Sequence, residues 1–124
     1  MEGDAMIVEH YNRFLHLLEE GTAGKLVKAN QFESGRMFVD YYLLAPGDEQ
    51  KPHTHADNDK LYFVLEGVGR FLVGEREHLL GAGEGCVAGA GEPHGVRNDS
   101  GERLVLLVVM APHPGIRPPA TERQ

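Results

Sequence analysis

An all-β fold is predicted for this chain on three observations. From Lys25 onward the sequence is a series of short, β-prone runs. Turn residues separate them, drawn from 16 glycines and 7 prolines. No second helical stretch of useful length interrupts the series, so alternating β and α units are excluded. Short strands at regular spacing with glycine turns point to a sandwich or a barrel.

The elements come in this order. Over residues 4–20, Ile7, Tyr11, Phe14, Leu15 and Leu18 share one face at helical spacing. Asp4 is placed to cap this helix and Gly21 to stop it, and the helix is expected to pack on the outside of the β domain. The strand-like runs are "KLVKAN", "RMFVDYYLL", "KLYFVLE", "GRFLVG", "HLL", "GCVAG", "GVRN" and "RLVLLVVMA". Between them stand "APGDEQKP", "EGVG", "GERE", "GAGEG", "AGEP" and "NDSGE", read as turns and loops. The tail "PHPGIRPPATERQ" is proline-rich and is expected to wrap the surface or fray. The predicted division is a helical segment over 1–24, a β domain over 25–112 and a tail over 113–124. A chain of 124 residues suits one domain.

Charge and composition exclude several classes. Nineteen acidic residues against twelve basic ones give a net charge of -7. Nucleic acid and anionic membranes repel such a chain, and neither is expected as a partner. The longest apolar run, Leu104 to Ala111, is far too short to span a bilayer. A single cysteine, Cys86, allows no internal disulfide. The N-terminus "MEGDAMIVEHYN" has acids where a signal peptide needs positive charge. A soluble, cytoplasmic protein is expected. "GEGCVA" fits a dinucleotide fingerprint by letter, but the strand–turn–helix context it needs is missing.

Seven histidines occur, and they are not equivalent. His10 and His16 lie on the predicted helix beside charged residues, His78 follows a charged turn and His113 sits between prolines. All four read as surface groups. His53 and His55 are one residue apart, and residues i and i+2 of an extended strand share a face. Two imidazoles so placed can chelate one ion. His94 follows a Gly/Pro turn and enters a short strand, from which it could add a third nitrogen. Three imidazoles suit iron, nickel, copper, zinc or manganese better than calcium or magnesium.

With these residues in view, the sequence resembles the cupins, small proteins with two short signature motifs. Gly47, His53, His55 and Gly67 match the first motif. Gly83, Gly91, His94 and Asn98 match the second, with Gly89 in place of a proline. The resemblance runs from about Gly35 to Pro112. It implies a double-stranded β-helix jelly-roll barrel, here with an N-terminal helix added, and a homodimer formed through outer strands. It also implies that His53, His55 and His94 point into a cavity as ligands of a divalent transition metal.

The family's fourth ligand is a glutamate seven residues before the closing glycine. That position is Lys60. Three arrangements are compatible with the substitution. Three histidines hold the metal and leave open positions, as some cupins do, dioxygenases among them. Alternatively Asp59 replaces the glutamate, although it faces the other side of the strand. Or the metal is lost and the domain binds a small molecule or simply packs. The leading expectation is a metal-dependent enzyme of dioxygenase or isomerase type acting on a small polar molecule, with Lys60 orienting an anionic group and Tyr62 donating a hydrogen bond. The rival expectation is a non-catalytic small-molecule-binding module. Asn98 is expected to tie a strand end by side-chain-to-backbone bonds, and Cys86 to be an apolar filler.

Overall fold

The computed structural model describes residues 26–115. These form nine strands and no helix: β1 (Val27–Glu33), β2 (Phe38–Leu44), β3 (Glu49–His53), β4 (Asp59–Glu66), β5 (Val68–Val73), β6 (Arg76–Gly81), β7 (Gly85–Ala88), β8 (His94–Arg97) and β9 (Leu104–Ala111). The predicted helix over 4–20 lies outside the described residues, as do the 1–24 segment and positions 116–124 of the tail.

The strands make two antiparallel sheets, one of five in the order β1-β2-β9-β4-β7 and one of four in the order β3-β8-β5-β6. The expected jelly-roll barrel is therefore corrected to a pair of open sheets. A closed barrel needs an unbroken hydrogen-bond ladder around its circumference. Here the ladder stops at β1 and β7 in one sheet and at β3 and β6 in the other. What joins the sheets is side-chain packing and a few side-chain hydrogen bonds.

That packing is legible strand by strand. Tyr42 and Leu44 from β2, Tyr62 and Val64 from β4, and Leu104, Leu106 and Val108 from β9 meet Phe71 of β5 and Val96 of β8 in one buried cluster. On the opposite face of the five-stranded sheet, Tyr41, Leu43 and Val105 form a second buried cluster with Leu65 and Leu107 against it. β9 lies between β2 and β4 and feeds both clusters. Burial on both faces explains why "LVLLVVMA" is continuously apolar instead of alternating. The order of burial along β4 supports the parity reading, with Lys60, Tyr62 and Val64 all buried. His94 and Val96 of β8 are buried alike, and so is Asn98 just beyond it.

One strand was hidden in the sequence. The stretch 49–52 reads as part of a loop, yet it forms most of β3, which lies on the sheet edge beside β8. An edge strand is solvated on one side, so it carries charge without penalty, and it tolerates a proline that cannot donate to a ladder.

Backbone requirements explain two motif glycines. Gly67 has φ +84°, and any side chain there would run into the carbonyl of Arg103. Gly91 also has φ +84°, and its N–H donates to the His55 carbonyl at 2.8 Å, which anchors the loop after β3 against the turn before β8.

Asn98 is 1% exposed. Its Nδ2 donates to the carbonyls of Leu44 at 2.9 Å and Glu102 at 2.7 Å, and its Oδ1 accepts from Ser100. The side chain thus closes three backbone segments at one end of the molecule, as the sequence suggested. Asn98→Ala leaves buried carbonyls without donors and is expected to lower unfolding free energy by about 3 kcal/mol, read as a fall in the urea midpoint. A loss under about 1 kcal/mol would mean that water replaces the amide there.

Candidate metal centre

The site begins with strand register. β3 pairs with β8 so that His53 stands opposite His94. Their ring centroids are 4.3 Å apart. His55 lies just past the end of β3, its ring 4.9 Å from His53 and 5.3 Å from His94. One nitrogen from each of the three lies within 4.8 Å of the others. The structure therefore brings His53, His55 and His94 into one cluster.

Local hydrogen bonds set the tautomers. His53 Nδ1 donates to the Lys51 carbonyl at 2.9 Å, and His94 Nδ1 donates to the Glu92 carbonyl at 3.0 Å. In each ring Nε2 is then left with a lone pair, the form a metal needs. His94 is 1% exposed, and its Nε2 is buried without a hydrogen-bond partner. A buried polar atom without a partner is costly. Burial pushes the His94 imidazole down to about 4, with the Glu92 bond opposing and the charges of His53, Lys60 and His55 assisting. His53 and His55 are shifted down as well, burial first. All three shifts favour the neutral ring, the form a ligand must take. Three neutral imidazoles around an unsatisfied lone pair fit a divalent transition ion.

Lys60 is the unusual neighbour. It is 1% exposed. Its Nζ donates to Gln50 Oε1 at 3.1 Å, and Tyr62 donates to the same oxygen at 2.6 Å. Gln50 Nε2 reaches the Tyr42 hydroxyl at 3.4 Å. The ammonium also sits 4.9 Å from the Tyr62 ring centre and 5.4 Å from that of Tyr42. Burial lowers its pKa to about 7, aided by Lys28 and opposed by Asp40. Burial likewise raises the Tyr62 and Tyr42 phenols, which remain donors.

His53, His55 and Lys60 open together onto a cavity of about 550 Å³, whose walls also include Lys28, Asp40, Tyr42, Gln50 and Met110. Tyr62 is fully buried behind this wall and meets it through Gln50. Asp59 points away: its Oδ1 accepts the Ala90 N–H at 3.0 Å on the exposed side of β4, and it is not part of the histidine cluster. Neither Asp57 nor Asp59 pairs with Lys60.

Of the other histidines, His78 is exposed. His113 is more engaged than a surface group. Its Nε2 lies 2.7 Å from Glu33, and its ring packs edge-on against Phe38. His10 and His16 lie outside the described residues. Cys86 packs against the core cluster, and burial pushes its thiol up to about 11.

Sequence reasoning missed Gln50. Two residues three apart on a regular strand face opposite sides. β3 changes register between Gln50 and His53, so both side chains end on the inner side. Pro52, which cannot donate to the ladder, was the available signal.

Residues 40–110 match the family model described as "Cupin domain". The crystal structure of a protein from Thermus thermophilus is similar, with 50% sequence identity and a TM-score of 0.69 over 71% of this chain and 84% of that one. An RmlC-like cupin protein from Desulfovibrio desulfuricans shares 29% identity at a TM-score of 0.64, over 71% of this chain and 83% of that one. The oxalate-binding protein of Thermotoga maritima is 28% identical over 85 residues, which is 68% of this chain and 69% of that one.

The shifted groups set a pH dependence in metal-free protein. His94 and Lys60 both hold fewer protons folded than unfolded between their folded and ordinary values, so stability rises with pH through those windows. In the presence of a chelator the urea midpoint is expected to climb from pH 4 to 6.5 for His94, and again from about 7 toward 10.5 for Lys60. Lys60→Met should flatten the upper climb alone. An upper climb that survives in Lys60→Met belongs to another group.

Proposed function

The chain belongs to the cupin family, and from that premise we propose that it holds one divalent transition-metal ion on His53, His55 and His94 and acts as a small metal-dependent enzyme of dioxygenase or isomerase type on a small organic acid. The observation that carries this reading is the unpartnered, buried Nε2 of His94 beside two further neutral imidazoles. Iron, nickel, manganese, zinc and copper all suit this donor set. Such an ion, when bound, supplies Lewis-acid polarisation of a substrate oxygen.

The protein's own residues do the rest. Three histidines leave coordination positions open, which a substrate needs. Lys60 occupies the place of the family's glutamate and adds a positive charge where that residue would add a negative one. A metal site so charged favours an anionic ligand, and Lys60 Nζ is placed to hold a carboxylate at the cavity wall. Gln50 fixes the lysine, and Tyr62 fixes Gln50 through its 2.6 Å bond. Tyr62 is thus a positioning residue. Mutual support of this kind holds the ammonium within a narrow range of positions.

A second reading is a non-catalytic module that binds a small acid. The Thermotoga maritima relative is named for binding oxalate, and this favours the module. Oxygen uptake or product formation with small acids and diketones separates the two readings.

Protein purified without chelators is expected to carry about one equivalent of a transition metal, and the His53→Ala/His55→Ala double variant to carry none, by elemental analysis. Less than about a tenth of an equivalent, with no uptake of added iron, nickel, manganese or zinc, would remove the metal from the reading. Lys60→Glu restores an anionic ligand and is expected to tighten metal binding about tenfold or more in competition with a chelator. Unchanged or weaker affinity would show that position 60 is not beside the metal.

A further inference from the structure

The cavity carries more positive charge than one carboxylate needs. Lys28, Lys51 and Lys60 all line it, and Asp40 is the single acid among its described walls. Asp40 accepts from Asn30 Nδ2 at 3.2 Å, and its charge acts on Lys28 and Lys60 without ion-pair contact. Three lysines converge here in a chain whose net charge is -7. Among the described residues none of the three has a carboxylate within ion-pair distance, while ion pairs bind arginines elsewhere on the surface.

The lysines occupy two levels. Lys60 is 1% exposed and lies on the inner wall with one hydrogen bond, to Gln50. An ammonium has three donors, so Lys60 has capacity for an anion. Lys28 and Lys51 are exposed and stand toward solvent. Between the levels lies the Tyr42 ring, with Lys28 Nζ 5.1 Å and Lys60 Nζ 5.4 Å from its centre. Two ammoniums drawn to one ring repel each other, and a further anion beside them offsets that repulsion. Phe38, Met110 and Pro114 add apolar wall to the same cavity.

We propose that the cavity recognises a dianion whose two anionic groups are separated by an aliphatic spacer. One group is held at the inner level by Lys60, the other at the outer level by Lys28 and Lys51, and the spacer lies along Tyr42 and Met110. This rests on the preceding reading of the cavity as a small-acid site, and it names the substrate class. A monocarboxylate satisfies one level only. A dicarboxylate with a spacer satisfies both and brings two charges to a wall that sets three lysines against one acid.

Calorimetric titration of the full-length, metal-loaded protein with acetate, oxalate, malonate, succinate and glutarate tests the proposal. Affinity is expected to peak at a dicarboxylate longer than oxalate, at least about tenfold above acetate, a difference of about 1.4 kcal/mol. Lys28→Gln and Lys51→Gln should each narrow the gap between that dicarboxylate and acetate, and added salt should narrow it further. Equal affinity for acetate and the dicarboxylates would overturn the proposal, and so would a maximum at oxalate or a gap unchanged in both variants. Metal content measured on the same samples keeps the two readings apart. A metal-free protein that still prefers the longer dicarboxylate supports the lysine assignment while refuting the metal. A metal-loaded protein without that preference does the reverse.

Discussion

Cross-strand pairing of β3 with β8 sets His53 opposite His94, and the histidine cluster depends on that register. A slip of one residue would turn one of the two imidazoles to the other face of the sheet. Two devices guard the register. The change of register between Gln50 and His53 sets how β3 meets β8, and the Gly91 N–H clamps the loop that carries His55. The same irregularity brings Gln50 inward to meet Tyr42, Tyr62 and Lys60. The histidine cluster and the support of the lysine are therefore two consequences of one edge strand.

Lys60 shows what the core tolerates for the sake of the site. A buried ammonium without an anionic partner is costly, and here it is held by one amide oxygen and two aromatic faces. Its lowered pKa is the electrostatic record of that cost. A lysine at this position makes the surroundings of the histidine cluster more positive than a glutamate would.

Much of this was readable beforehand because it rests on local rules. Eight of the nine strands coincide with β-prone runs set off by glycine and proline. Faces along β4 and β8 followed from the period of two. Asn98 behaved as its residue type and position implied. The misreadings share one cause. The stretch 49–52 looks like a loop because an edge strand needs little apolar content, and Gln50 goes unnoticed because regular parity ignores a change of register. His113 looks like a surface group because its partners, Glu33 and Phe38, are distant in sequence. The jelly-roll barrel was an inference from resemblance, and backbone pairing replaced it with two open sheets.

The sequence by itself determined that the described chain is all-β, that its motif glycines mark the turns, and that His53 and His55 stand together. These properties depend on residue type and short-range spacing, which a linear string records. Only the tertiary structure decided that the sheets stay open, that Lys60 meets the amide oxygen of Gln50, and that Lys28 and Lys60 share the Tyr42 ring. Those outcomes depend on which strands become neighbours and in what register, and such long-range pairings are set by packing of the whole chain.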